Sequence, residues 1–136
     1  EAIAVNVTAN WRLIRAFDPL LRASDAGRVV FVTSGVASEA RAYWGTYAVT
    51  KAALDTLTRT YAAETRTTNV RVNLIAPGAT RTRMRASAMP GEDPLSLKTP
   101  DAVADKIVAM CLPGFQETGR IYNFRAGKML DFQLPA

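Results

Sequence analysis

The chain has 136 residues, 49% of them hydrophobic, and carries 17 Lys and Arg against 12 Asp and Glu, a formal net charge of +5. It has no histidine and a single cysteine, Cys111, so Ser-His-Asp and Cys-His catalysis are excluded and we expect neither a structural metal site nor an internal disulfide. No run of about 18 apolar residues predicts a membrane span, and no recognition motif accompanies the positive charge, so neither a membrane nor a nucleic acid is expected as a partner.

The first predicted element is a helix over residues 2–22. Its apolar residues recur at intervals of three or four, the period of an amphipathic helix; they include Ile3, Val7, Trp11, Ile14, Phe17 and Leu21. Further leucines widen the stripe, so more than one face of the helix is apolar. Asn6 lies on this helix, where asparagine is a mediocre helix former. From the residues alone, it is most simply an exposed polar side chain.

Residues 24–27 predict a turn, and residues 28–33 predict a strand. The strand is apolar without alternation, which indicates burial on both faces, as in a parallel sheet. In open α/β sheets, ligands bind at the carboxyl ends of the strands. Ser34 follows this strand directly and is therefore a candidate site residue, although Ser34-Gly35 is also ordinary turn chemistry.

The second predicted helix, residues 46–65, begins with Tyr47 and Lys51. Residues four apart share a helix face, so the lysine ammonium lies on the side of the phenol. A phenol has an unperturbed pKa of about 10, and a nearby positive charge lowers that pKa by favouring the phenolate. Such a pair also arises by chance on solvated helices. Ser34, thirteen residues before Tyr47, favours the catalytic interpretation.

A second buried strand, residues 70–76, ends at Pro77-Gly78. Proline ends the strand ladder, and glycine lets the backbone approach a ligand closely. Residues 79–99 have few large hydrophobic side chains and predict a long loop with one or two helical turns, and long loops in compact domains often bind or cover ligands. Arg81, Arg83 and Arg85 in this loop are either solvated or face an anion.

The last third of the chain predicts one helix and one short strand. Thr99-Pro100-Asp101 supplies an N-cap hydroxyl, a proline at the first helical position and an acid in the first turn. The helix ends near Pro113-Gly114, with Cys111 predicted as a small buried side chain. Residues 120–124 predict a strand followed by a tail. No linker or repeat divides the chain, so residues 1–136 are expected to form a single domain.

A serine after a strand, Tyr-x-x-x-Lys on the next helix and Pro-Gly after the next strand together resemble the short-chain dehydrogenase/reductase (SDR) family. The resemblance covers nearly the whole chain. Residues 43–47 (YWGTY) and 80–88 (TRTRMRASA) look more narrowly like the YciK-like bacterial oxidoreductases, a subgroup of that family. Tyr43 and Trp44 are assigned to the wall of a substrate pocket.

The resemblance implies an α/β fold, the NAD(P)-binding Rossmann-like doubly wound parallel sheet. This chain would form its C-terminal part, with strands 28–33, 70–76 and 120–124 side by side and helices flanking them. The Gly-rich N-terminal half of that fold is absent, since no Gly-rich motif follows a strand and opens a helix. The chain is therefore expected to be the C-terminal part of a longer enzyme.

The resemblance also implies a reaction, hydride transfer between NAD or NADP and a carbonyl or alcohol substrate. Tyr47 would be the general acid or base, and Ser34 would hold the substrate oxygen. Lys51 would bind the nicotinamide ribose, while Asn6 would unwind its helix locally and hold a water near Lys51. The residues implied to contact the cofactor are Tyr47, Lys51, Pro77, Gly78, Thr80 and Thr82.

The family's assembly implies a homodimer or homotetramer formed through helices 2–22 and 46–65. A chain without internal disulfides fits a reducing cytoplasm. Two alternatives remain open at this stage. The chain could be a catalytically silent binding protein on the same fold, or a structural fragment that binds no cofactor.

Overall fold

Four strands form one sheet, in the order β1 (Arg28–Val32), β2 (Arg71–Ala76), β3 (Ile121–Asn123) and β4 (Lys128–Leu130). The computed structural model from which they are taken describes residues 1–39 and 41–132. β1, β2 and β3 are parallel, and β4 is antiparallel to β3. The predicted α/β class and the side-by-side placement of the three predicted strands are therefore confirmed.

Helices flank the sheet, and their bounds agree with the predicted ones to within a few residues. They are α1 (Ala9–Ala23), preceded by a π-helical turn (Ala4–Thr8), α2 (Gly45–Glu64), α3 (Arg83–Ala88) and α4 (Pro100–Cys111). Short 3₁₀ turns cover residues 35–37 and 94–96. The Thr99 hydroxyl accepts a hydrogen bond from the amide of Ala102, so the predicted N-cap of α4 is confirmed. No helix within the described residues is both long and apolar enough to cross a membrane.

β2 is the centre of the core because it is covered on both faces. Val72 and Leu74 pack in one cluster with Leu54 of α2, whereas Ile75 packs on the other face with Val103 of α4. Successive strand residues point to opposite faces, so an unbroken apolar run fills both clusters. The predicted burial of this strand on two faces is confirmed.

β1 differs from the prediction of burial on both faces. Phe31 is buried, but Val29 and Val30 are only half-buried and Val32 is 44% exposed. The physical reason is its position, since within the described residues β1 pairs only with β2 and forms one edge of the sheet. An apolar composition shows how a strand would be covered, whereas its neighbours decide whether it is.

Two further predictions about the C-terminal third are wrong. Instead of a tail, a turn at residues 124–127 leads into β4, with the Gly127 amide donating to the Asn123 carbonyl at 2.9 Å and Gly127 at φ +66°. Strands of three residues are too short to show a period in sequence. Cys111 is exposed, because the end of α4 turns its neighbour Met110 towards the core.

Candidate active site

The predicted site residues lie at the carboxyl ends of β1 and β2 and at the beginning of α2. The strand ends are adjacent, since the amide of Thr33 donates to the carbonyl of Ile75 at 2.8 Å. Ser34 follows in an extended conformation and opens the 3₁₀ turn at residues 35–37. α2 packs against this turn, so Ser34 and the first residues of α2 belong to one region of the surface.

Tyr47 and Lys51 lie together on α2 as their spacing predicted. The Lys51 ammonium is 5.7 Å from the centroid of the Tyr47 ring and donates to the Val32 carbonyl at 2.9 Å. Lys51 is only 9% exposed. Burial lowers its pKa, and the negative charge of Asp55 acts in the opposite direction. The site therefore holds a largely buried cation beside a phenol.

Asn6 lies in the π-helical turn that precedes α1. A π-turn is wider than an α-helical one, and such turns are frequent at functional sites. The Asn6 side-chain amide donates to the Thr50 hydroxyl at 3.0 Å, which in turn donates to the Tyr47 carbonyl at 2.9 Å. Asn6 is thus half-buried and tied to the beginning of α2, which differs from the exposed polar residue expected from composition alone.

Asn10, which the sequence analysis did not single out, supports this turn. Its side-chain amide donates to the carbonyls of Asn6 at 2.9 Å and Val5 at 3.2 Å. Both carbonyls lie in the part of the helix where the ordinary four-residue hydrogen-bond pattern is interrupted. The only sequence signal was a second asparagine four residues after the first, in a helix where asparagine is not favoured.

Thr33 and Asp55 were also missed. The Thr33 hydroxyl, 2% exposed, donates to the Asp55 carboxylate. Burial raises the pKa of Asp55, opposed by this hydrogen bond and by the charges of Lys51 and Arg59. Asp55 follows Lys51 by four residues, so the helical period could have placed the carboxylate beside the ammonium. The partner Thr33 had no comparable signal.

The Pro77-Gly78 segment follows β2 as predicted and has a backbone that suits glycine. Gly78 is exposed with φ +70°, in the left-handed region that other residues rarely adopt. The Thr80 hydroxyl donates to the Gly78 carbonyl at 3.2 Å. The Thr82 hydroxyl accepts from the amide of Arg85 at 3.2 Å and caps α3. The predicted cofactor residues therefore form one short connection between β2 and α3.

Lys98, which the sequence analysis did not identify, holds this connection from the other end of the loop. Its ammonium donates to the Ala79 carbonyl at 2.7 Å, and its own carbonyl accepts from the amide of Arg81 at 2.9 Å. Burial lowers the pKa of Lys98. Residues 19 positions apart thus form one structure at the end of β2.

An open hollow lies beside Tyr47 and is lined mainly by apolar and aromatic side chains. It is formed by Tyr43, Trp44, Gly45, Thr46, Tyr47, Met84 and Ala88. Trp44 meets the Tyr47 ring edge-on with 5.9 Å between the centroids. This arrangement agrees with Tyr43 and Trp44 as pocket wall. Of the arginine cluster, Arg85 is paired with Glu92 at 2.5 Å, whereas Arg81 and Arg83 are exposed.

Comparison with known proteins identifies related sequences and folds. The sequence profile of the family described as short chain dehydrogenase matches residues 1–93. The chain is 49% identical over 129 residues to an uncharacterised oxidoreductase, YciK, of Escherichia coli K12, covering 94% of this chain and 51% of that protein. It is 35% identical over 124 residues to an uncharacterised NAD-dependent oxidoreductase of Mycobacterium tuberculosis, covering 78% of this chain and 45% of that protein.

Solved structures give the same result at the level of the fold. A short chain dehydrogenase of Escherichia coli CFT073 complexed with NADPH superposes with a TM-score of 0.83 at 42% identity, covering 89% of this chain and 50% of that one. A short chain dehydrogenase of Shigella flexneri complexed with NADP gives a TM-score of 0.82 at 42% identity, covering 90% of this chain and 52% of that one. The chain thus spans about half the length of the relatives that it matches.

Proposed function

This chain belongs to the short-chain dehydrogenase family, and we propose that its full-length protein is an NAD(P)-dependent oxidoreductase that transfers hydride between a nicotinamide cofactor and a carbonyl or alcohol substrate. The observation that carries the proposal is the Tyr47–Lys51 pair, a buried ammonium beside a phenol at the carboxyl end of β1. The complexes of two similar proteins with NADPH and NADP support the cofactor class. We leave the choice between NAD and NADP open.

The residues of this chain fit the nicotinamide end of such a cofactor. Lys51 has three N–H groups and donates one hydrogen bond within the described residues, so it can also donate to ligand hydroxyls. Gly78 offers bare backbone in a conformation that suits close approach. The proposed cofactor contacts are Tyr47, Lys51, Pro77, Gly78, Thr80 and Thr82. When bound, NAD or NADP supplies the hydride in reduction and accepts it in oxidation.

Each member of the tetrad has a separate task in this proposal. In the reductive direction, Tyr47 gives its proton to the substrate oxygen, and the Ser34 hydroxyl donates a hydrogen bond to the same oxygen. The positive charge of Lys51 stabilises the negative charge that Tyr47 acquires. Asn6 orients the beginning of α2 through Thr50 and holds a water, by the second lone pair of its carbonyl, that returns a proton to Lys51.

The substrate and assembly belong to the same proposal. The hollow beside Tyr47 accepts a small carbonyl or alcohol compound against Trp44 and Met84. A homodimer or homotetramer would cover the apolar side chains that α1 and α2 leave exposed, which are Trp11, Leu13, Phe17, Leu20 and Val49. Such exposed apolar patches are typical of interaction sites.

The experiment that tests the function is an assay of the full-length protein with NADH and NADPH over a panel of carbonyl and alcohol compounds. We expect turnover by the wild type and loss of at least about a hundredfold in kcat for Tyr47→Phe, the lower range for removal of a general acid. Cofactor affinity should remain near the wild-type value, because phenylalanine keeps the ring.

Tyr43→Phe is the matched control, since Tyr43 is a fully exposed phenol on the same hollow. It should leave kcat within about twofold of wild type, since it lies outside the proposed proton path. Substantial turnover by the Tyr47→Phe variant would contradict the assigned role. Absence of turnover over the whole panel, with no cofactor binding, would instead favour a silent protein on the same fold.

A further inference from the structure

The end of β1 is held to α2 by two consecutive contacts immediately before Ser34. The carbonyl of Val32 accepts from the Lys51 ammonium, and the hydroxyl of Thr33 donates to the Asp55 carboxylate. The first contact involves a member of the proposed tetrad, whereas the second has no part in the function proposed above. Two adjacent residues are thereby fixed to the same helix, so the position of Ser34 relative to α2 is set by both.

The helix presents these partners in a row. Tyr47, Lys51 and Asp55 are four residues apart and share one face of α2. Their order along the helix gives a phenol, an ammonium and a carboxylate facing the end of β1. Loss of the Thr33–Asp55 contact would leave one fixed point, around which the strand end could turn.

The contacts are shielded from water and involve charged groups. Thr33 is 2% exposed and Lys51 is 9% exposed. Hydrogen bonds to ionised groups are stronger than neutral ones, and a low local dielectric strengthens them further. The Thr33–Asp55 bond is therefore suited to hold a strand end in one position, which an exposed hydrogen bond between flexible side chains would not do.

Asp55 also acts on the charge of Lys51. Burial lowers the pKa of Lys51, and the only charged group that acts against this is Asp55. The groups that act on Asp55 itself are Lys51 and Arg59 of α2 and the hydroxyl of Thr33 from β1. The carboxylate thus favours the protonated state of the lysine that the proposed mechanism requires.

We propose that Thr33 and Asp55 are positioning residues of the active site, which fix Ser34 against Tyr47 and keep Lys51 charged. This inference rests on the proposed function, because it assigns the two residues to the same hydride-transfer site. Neither residue touches the reacting atoms in this scheme. They act through Ser34 and Lys51.

Three variants of the full-length protein separate the two effects. Thr33→Val removes the hydroxyl and keeps the shape, and we expect kcat to fall about tenfold with little change in the KM for the cofactor. Thr33→Ser restores the donor and should recover most of that loss. Asp55→Asn keeps an oxygen that accepts from Thr33 but removes the charge, so its main effect should be on the pH profile.

The expected sign of the pH effect follows from electrostatics. Removing a negative charge beside the Tyr47–Lys51 pair favours proton loss from either group. The alkaline limb of the kcat profile should therefore move to lower pH by about one unit in Asp55→Asn. Asp105→Asn is the matched control, since Asp105 is an exposed aspartate of α4, and its profile should equal that of the wild type.

A second measurement keeps the inference testable without turnover. In protein labelled with ¹³C at the lysine ε carbons, the titration of Lys51 should move to lower pH in Asp55→Asn and stay in place in Asp105→Asn. Unchanged kcat in Thr33→Val, together with an unchanged Lys51 titration in Asp55→Asn, would overturn the inference. The proposed function would fail separately, through full activity of Tyr47→Phe.

Discussion

At the scale of single residues, Asp55 is a charge that the fold holds at a cost. Its pKa is raised, chiefly by burial, so the folded state binds a proton at Asp55 more tightly than the unfolded state does. The stability that Asp55 contributes is therefore fully present below the unfolded pKa of about 3.9 and is lost as the pH rises through the folded pKa. An ionised Asp55 serves the proposed site rather than the stability of the fold.

This argument predicts that Asp55→Asn gains stability relative to the wild type as the pH increases. We expect the difference in free energy of unfolding between variant and wild type to grow in favour of asparagine between about pH 4.5 and pH 7.5. Urea unfolding of the full-length proteins at both values measures it. Asp105→Asn should show no such trend. A variant that loses stability as the pH rises would show that Asp55 has a mainly structural role.

Gly78 is the second residue where backbone conformation decides function. Its φ of +70° costs about 1–2 kcal/mol for a residue with a side chain. Space is not the problem, since a Cβ at this position would meet only the Lys98 ammonium, at 3.8 Å. A side chain would therefore strain the connection between β2 and α3, or shift it.

We predict that Gly78→Ala in the full-length protein lowers the free energy of unfolding by about 1 kcal/mol and weakens NADPH or NADH binding about tenfold. Denaturant unfolding and cofactor fluorescence titration give the two quantities. Gly91→Ala is the control, because a Cβ there meets nothing within 4 Å and Gly91 does not have a positive φ. Equal behaviour of the two variants would show that the conformation of Gly78 does not matter for binding.

At the scale of elements, the π-helical turn connects the first helix to the site. Asn10 donates to two carbonyls of this turn, and Asn6 extends from it to Thr50 at the beginning of α2. A regular α-helix here would rotate Asn6 relative to the residues that follow it. The turn therefore decides whether the Asn6 amide reaches α2.

We predict that Asn10→Ala reduces kcat severalfold while changing overall stability little. The two lost hydrogen bonds contribute about 1 kcal/mol each, and alanine recovers part of that as the better helix former. Faster amide hydrogen exchange at residues 5–10 would report the altered turn directly. Arg12→Ala, an exposed change on the same helix, serves as control. Unaltered kcat and exchange in Asn10→Ala would show that the turn forms without this side chain.

At the scale of the whole molecule, the sheet has an open edge along β1. β1 has β2 as its one strand neighbour within the described residues, and Val32 at its end is 44% exposed. An apolar strand with unpaired backbone groups is a template for association with other chains. The 136 residues also have no Gly-rich turn after a strand, on which the pyrophosphate of a dinucleotide normally sits.

We therefore predict that residues 1–136 produced alone bind neither NADH nor NADPH tightly and tend to aggregate. Charge-assisted phosphate hydrogen bonds contribute about 1.5–3 kcal/mol each, so losing several weakens a micromolar site by at least about a thousandfold. Calorimetry on monodisperse material and size-exclusion chromatography test the two halves, with the full-length protein as control. Micromolar binding by a soluble monomer would contradict the prediction.

The sequence by itself determined the features that are local or periodic. The unbroken apolar run of β2 predicted burial on two faces, and Thr99-Pro100 predicted the beginning of α4. The four-residue spacing of Tyr47 and Lys51 placed ammonium and phenol on one helix face. These predictions depend only on backbone geometry within one element, which a short stretch of sequence encodes.

The tertiary structure alone decided which side chains support the site. Thr33 meets Asp55 across 22 residues of sequence, and Asn6 meets Thr50 across 44. It also decided that β1, with the same apolar composition as β2, lies at an edge. Such contacts have no periodic signal, because they depend on how separate elements pack, and packing is fixed by the whole chain rather than by any one segment.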